Sequence, residues 1–155
     1  MSLPAAPEPA KLVTGVFTAE RDLIVPIAKR LSEKFGDIDL ESSWFPFDFT
    51  DYYEQEMGSG LMRRMMAFKP LVSQEALAEI KLITNETEHD FSAGGRRRIN
   101  IDPGYLLRER FVLATAKNYS HRIYIGKGIY ADLTLIYRKG RFRTLPWTYP
   151  DYAAD

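Results

Sequence analysis

The chain of 155 residues contains no cysteine. That excludes disulfides, thiolate nucleophiles and zinc sites built on Cys, and it fits a cytoplasmic protein. No apolar run approaches the roughly 20 residues that cross a bilayer, so no membrane partner is expected. The start, MSLPAAPEPAK, lacks the basic segment and apolar core of a secretory signal. Net charge is also missing, with Lys plus Arg equal to Asp plus Glu at 21 each. Nothing global therefore draws the chain to nucleic acid or an anionic membrane, and any basic site has to be a local patch. The sequence holds no GxxxxGK[ST] phosphate loop, no GxGxxG after a strand, and no GxSxG or HExxH. These absences leave the identity of any cofactor unknown. Without a thiol or a dinucleotide fingerprint, an enzyme built on this chain would be a hydrolase or group transferase rather than an oxidoreductase.

What is present reads as one α+β domain over residues 11–152, after a loose tail at 1–10. Residues 11–17 (KLVTGVF) are β-rich. Leu23, Ile24, Ile27, Ala28, Leu31 and Phe35 recur at helical spacing, with Thr18 or Asp22 as cap and Gly36 as terminator. Residues 38–49 alternate as a strand, with Pro46 marking an edge or a bulge. Residues 61–68 read as another strand. Ser73 caps a second helix, in which Leu77, Ile80, Thr84, Thr87 and Phe91 share a face. Residues 97–101 alternate as a strand, Asp102-Pro103-Gly104 reads as a turn, and a loop then leads to a strand before Lys117. Residues 120–125 and 129–137 form a hairpin about Gly126-Lys127-Gly128, and 141–145 add a last strand. The order β-α-β-β-α-β predicts a ferredoxin-like core, extended by a C-terminal antiparallel β-meander.

Five strings carry a resemblance: FPFDFTDYYEQEMG, IKLITNETE, GGRRRINIDPGYL, SHRIYIGKGIYADLTLIY and LPWTYPDY. Together they resemble the bacterial and archaeal family called domain of unknown function 4416, over nearly the whole chain. The resemblance implies a small, single-domain, cytosolic protein. It transfers no catalytic residue, so the site candidates rest on the residues themselves.

Four constellations could carry chemistry. Arg96, Arg97 and Arg98, with Lys117, His121, Arg122 and Lys127, form a basic set. Guanidinium forks suit phosphate or carboxylate, and Arg98, Arg122 and Lys127 would converge on an anion if their strands were neighbours. The alternative is a solvated face paired to the equally numerous acids. Asp48, Asp51 and Glu54, among Tyr52, Tyr53 and Glu56, offer oxygen ligands, but in no EF-hand order; an acidic loop weighs more, and no metal is expected. Asn85, Glu86 and Glu88 do not share one helix face, and such acids are usually solvated. His121 with Asp102, Tyr105, Tyr124, Tyr130 and Asp132 could supply general acid–base chemistry, against the blander reading of a hydrogen-bonded structural histidine. His89 reads as a helix-end or surface residue.

The expectation is a small anionic ligand, phosphorylated or nucleotide-like, held on the C-terminal sheet face by Arg96, Arg98, Arg122, Lys127 and Tyr105. His121 with Asp102 or Asp132 would perform any proton transfer. The competing expectation is a protein-interaction module, with a homo-oligomer among its options, using the segments 44–53 and 147–152, since Tyr, Trp and Arg favour hot spots. Single-stranded nucleic acid ranks third, because the net charge speaks against it.

Overall fold

The computed structural model describes residues 1–46, 54–149 and 152. It is one antiparallel sheet of nine strands with two long helices. The strands are β1 (Ala10–Thr18), β2 (Ile38–Glu41), β3 (Phe45–Pro46), β4 (Met62–Val72), β5 (Ile99–Leu106), β6 (Arg110–Thr115), β7 (Arg122–Gly126), β8 (Ile129–Arg138) and β9 (Arg141–Thr144). The helices are α1 (Ile24–Phe35), the short α2 (Glu54–Met57) and α3 (Leu77–Asp90). The sheet runs β2-β4-β1-β5-β6-β8-β7, with β3 on β4 and β9 on β8.

Strand alternation gives the sheet two unlike faces. Leu12, Val16, Met66, Phe68, Ile99 and Ile101 meet Ile24, Ile27 and Leu31 of α1 and Ile80 of α3 in the main core. Burying an aliphatic side chain of this size stabilises by about 1.5–3 kcal/mol, so this layer anchors the fold. Leu77 and Ala78 of α3 extend it over Val112, Ala114 and Ile129. The opposite face carries no long helix among the described residues. It holds Phe17 with Met57 and Leu61, and farther along Phe111, Leu113 and Tyr152.

Both helices enter through a 3-10 turn, Arg21–Leu23 and Gln74–Ala76, and neither has a side-chain cap. The expected caps Thr18, Asp22 and Ser73 therefore do not cap. Thr18 instead accepts from the Glu20 amide and donates to the Arg98 carbonyl. Pro26 falls in the first turn of α1, where its missing N–H costs nothing. The segment expected as a single strand over 38–49 is split into β2 and β3 over its described residues.

The expected turn Asp102-Pro103-Gly104 lies inside β5 instead. Ile101 shows why proline is tolerated. Its N–H and C=O point away from β1, to Glu88 and Lys81 of α3. Pro103, two residues on, turns its nitrogen to the same side. Pairing of β5 with β6 starts only at Gly104, so no ladder bond is lost there. Gly104 is required by proximity: a Cβ would lie 2.5 Å from the Val112 carbonyl oxygen.

Candidate functional site

The face opposite α1 and α3 carries the polar side chains of interest. Cross-strand pairing aligns Val13, Gly104, Leu113, Asp132 and Arg122 in one row, and Gly15 with Asp102 in the next. Two ionic clusters stand on this face.

The first is at β7 and β8. Asp132 is buried, and its Oδ2 accepts from Arg122 Nε at 2.9 Å and lies 3.2 Å from His121 Nε2. The Thr134 hydroxyl is 3.3 Å from its Oδ1. Arg122 also donates to the Lys117 carbonyl and the Tyr149 hydroxyl. Burial pulls the Arg122 guanidinium down, but the bonds to Asp132 and Tyr149 outweigh it and hold it above its ordinary value. The His121 ring stacks on Trp147 at 4.8 Å, and Trp147 Nε1 donates to the Leu133 carbonyl at 2.7 Å. The arrangement fixes the imidazole and gives it a carboxylate partner, the geometry of a positioned acid–base pair. No nucleophile bonds to it among the described residues.

The second cluster was not anticipated. Arg63 of β4 is 2% exposed, reaches across Gly15 and donates from Nη2 to Asp102 Oδ2 at 2.8 Å. Its guanidinium lies 4.8 Å from the Tyr152 ring centroid and 5.6 Å from that of Phe17. A Cβ on Gly15 would stand 3.0 Å from Arg63 Nη2, so a glycine in the interior of a β-rich strand was the available signal. Asp102 thus belongs to Arg63 rather than to His121. It stands two strands and one row from Asp132, about 10 Å across and about 7 Å along the sheet.

The expected cationic set does not converge. Arg98 precedes β5 and forks onto Glu20 with two bonds of 2.9 Å, which hold the Glu20 carboxyl below its usual range. Arg97 forks onto Glu56, depressing that carboxyl likewise, and bonds Asn100. Arg96 is an exposed residue that closes the Ala93–Arg96 turn between α3 and β5. Lys127 pairs with Glu79 on the surface of α3. Tyr105 lies on the helix side, lining a cleft of about 270 Å³ with Gln74, Glu75, Leu77, Ile125 and Ala131. Burial raises its hydroxyl pKa, partly offset by Arg110.

Glu88, expected to be solvated, is buried instead. Its Oε2 accepts from the Ile101 amide at 2.7 Å. Burial pushes its carboxyl up, opposed by the charges of Lys81 and Arg97. The Asp48, Asp51, Tyr52 and Tyr53 group lies outside the described residues. Among the described residues no cluster of acids and histidines could hold a metal ion, and no helix is long and apolar enough to cross a membrane.

A different basic group assembles where the β5–β6 turn meets the β8–β9 turn. The Tyr137 amide donates to the Glu109 carbonyl at 2.9 Å, tying the turns together. Arg110 faces Ile136, which faces Arg143, and Arg138 faces Arg141. Arg108, Arg138, Lys139 and Arg141 are exposed, and Arg110 and Arg143 partly so. Glu109 is the only acid in either turn, and it pairs with Arg110 at 3.6 Å. Among the described residues, Arg108, Arg138, Lys139, Arg141 and Arg143 have no carboxylate partner.

No curated protein and no solved structure matches the chain. A family described as Domain of unknown function (DUF4416) matches residues 8–155, and with the strings of the hairpin and the RRR turn inside that span, the chain belongs to this family.

Proposed function

We propose that this protein binds a small phosphorylated or nucleotide-like anion at the C-terminal end of its sheet. The observation that carries the reading is the group Arg108, Arg138, Lys139, Arg141 and Arg143, gathered by two adjoining turns and without a carboxylate partner among the described residues. Most arginines elsewhere are consumed by acids, Arg30 by Asp90 and Arg64 by Glu41 among them. Like charges held together repel one another. A phosphate that accepts from several guanidinium groups relieves that repulsion and gains charge-assisted bonds. The setting we favour is cytoplasmic, in keeping with a cysteine-free chain.

For the scaffold we favour a ferredoxin-like unit made of β1, α1, β2, β4, α3 and β5. The strand order β2-β4-β1-β5, with antiparallel neighbours and both helices packed on one face, supports it. The interaction-module reading has less behind it. Trp147 is engaged by His121 and the Leu133 carbonyl, and Trp44 lies between Arg21 and Arg64.

The test is calorimetric titration and thermal shift with inorganic pyrophosphate and a nucleoside triphosphate at low salt. A ligand at 100 times its Kd adds about 2.7 kcal/mol of stability. Arg138→Ala with Arg141→Ala should weaken binding by at least about tenfold. Equal binding by wild type and double variant, or no binding by either, overturns the reading.

A further inference from the structure

The two edges of the sheet are built differently. At one edge, β2 carries Asp39 and Glu41 and β3 ends in Pro46, the charges and proline that prevent edge pairing. At the other, β7 (RIYIG) has neither lysine, acid nor proline. It is hydrogen-bonded to β8 on one side and is the last strand of the sheet. Its central residues are exposed apolar ones, Ile123 at 68%, Tyr124 at 57% and Ile125 at 37%. A bulge touches only its turn end, between Tyr124 and Gly126. Backbone groups on that outer edge therefore stand beside a strip of apolar side chains.

The sequence of this strand is self-complementary. An antiparallel pairing centred on Tyr124 sets Ile123 opposite Ile125 of the partner subunit and Tyr124 opposite Tyr124 of the partner subunit. Arg122, the one charge, meets Gly126 of the partner subunit. Apolar faces apolar and no like charges are opposed, which is what cross-strand pairing rewards. The same two-fold operation leaves both helix layers on one side of a continuous sheet. On that side Ile125 also lines the cleft shared with Leu77, Tyr105 and Ala131, so apolar surface continues inward from the edge strand. The surface pair Lys127–Glu79 supplies a charged rim, and an apolar centre inside a polar rim is the usual anatomy of an interface.

We propose that two copies of this chain associate through antiparallel pairing of their β7 strands about Tyr124. The proposal is independent of the anion reading, whose cations lie at the turns before β6 and between β8 and β9. The occupant is a second copy rather than a foreign strand because the pairing satisfies itself in register.

Sedimentation equilibrium on the full chain, over a hundredfold range of concentration, should return a dimer mass. Ile123→Lys should return a monomer with an unchanged circular dichroism spectrum, since Ile123 is already largely solvent-exposed in the single chain. The chain has no cysteine, so Tyr124→Cys introduces one thiol, opposite its own copy. Directly opposed Cβ atoms lie about 4.5–5.5 Å apart, near disulfide reach. Mild oxidation should crosslink Tyr124→Cys at least tenfold faster than Leu40→Cys, placed on the protected edge. A monomer at every concentration overturns the proposal and leaves β7 to a foreign strand. A dimer that survives Ile123→Lys, or equal crosslinking from the two edges, also overturns it by moving the interface elsewhere.

Discussion

The two ends of the sheet use the same residue types in opposite ways. Around β1, β2, β4 and β5, cations are matched to acids, as Lys11 to Asp39, Arg63 to Asp102, Arg64 to Glu41 and Arg98 to Glu20. Large apolar side chains there lie mostly under α1 and α3. Around β8 and β9, Arg138, Arg141 and Arg143 have no carboxylate partner among the described residues, although Arg122 of β7 is matched to Asp132, and Tyr119, Ile123, Tyr124, Tyr137 and Phe142 are exposed. A neutral chain of ordinary hydrophobic content is thus an average over two unlike regions. The first region consumes its charges and apolar surface in folding. The second leaves more of both exposed, so on the proposed reading stability and binding should separate under mutation.

The largest break in that separation is expected at Arg63. It is almost fully buried and its carboxylate partner is Asp102. Removing one member of a buried pair leaves the other charge uncompensated, at a cost of about 3–5 kcal/mol. Asp102 keeps 31% of its side-chain exposure, so Arg63→Ala should fall near the lower bound. Arg141→Ala, at the open end, should change stability by no more than about 0.5 kcal/mol. Urea unfolding of the two variants decides this, and similar midpoints for both would erase the contrast.

Glu88 offers a second, smaller test, through pH. Where β6 has not yet joined β5, α3 serves as a surrogate neighbour: Glu88 accepts the Ile101 amide and Lys81 donates to the Ile101 carbonyl at 3.4 Å. Burial raises the Glu88 pKa in the folded state. A raised carboxyl contributes stability that is fully present below its unfolded value and lost as pH rises through its folded value. Glu88→Gln retains an oxygen acceptor and does not titrate. The difference in unfolding free energy, wild type minus variant, should therefore fall as pH rises from the ordinary carboxylate range upward. Glu56 should act in the other direction. Its carboxyl is depressed by Arg97, so its contribution is lost as pH falls. Chemical denaturation across pH reads both, and a flat difference for Glu88→Gln would mean that its burial carries no charge cost.

These residues also mark how far the sequence could be read. Helical spacing located both long helices, and the Gly126-Lys127-Gly128 turn placed the β7–β8 hairpin, because those signals are local. Asp102-Pro103-Gly104 misled because its turn chemistry was overridden by pairing to β1 and by the gap before β6. The arginine run at 96–98 drew attention as a cluster, yet Glu20 and Glu56, distant in sequence, neutralise two of its members. The string RKGRFR at 138–143 has four cations and no acid, so the open basic end was legible as a local charge run. Lys81 and Glu88 fell on the apolar stripe of α3 with Leu77, Ile80 and Thr84, a spacing that signals buried charge. The Arg63–Asp102 pair needed the alignment of three strands, and only Gly15 hinted at it.

The smallest expected effect sits at the boundary between the two regions. Lys127 and Glu79 pair across the surface with side chains 58% and 54% exposed. Such pairs contribute about 0–1 kcal/mol and are screened by salt. Glu79→Ala should therefore cost no more than about 0.5 kcal/mol, vanishing in molar salt. Lys127 holds a second, opposing term, because its φ of +58° is the left-handed conformation that costs a non-glycine residue about 1 kcal/mol. Lys127→Gly removes the same ion pair but relieves that strain, so it should be neutral or slightly stabilising where Glu79→Ala is slightly destabilising. Thermal melts of both variants at low and high salt separate the terms. If Lys127→Gly instead destabilised by more than Glu79→Ala at every salt concentration, the surface pair would be carrying weight in the fold. Charge at this end of the sheet could then no longer be treated as held in reserve for a ligand.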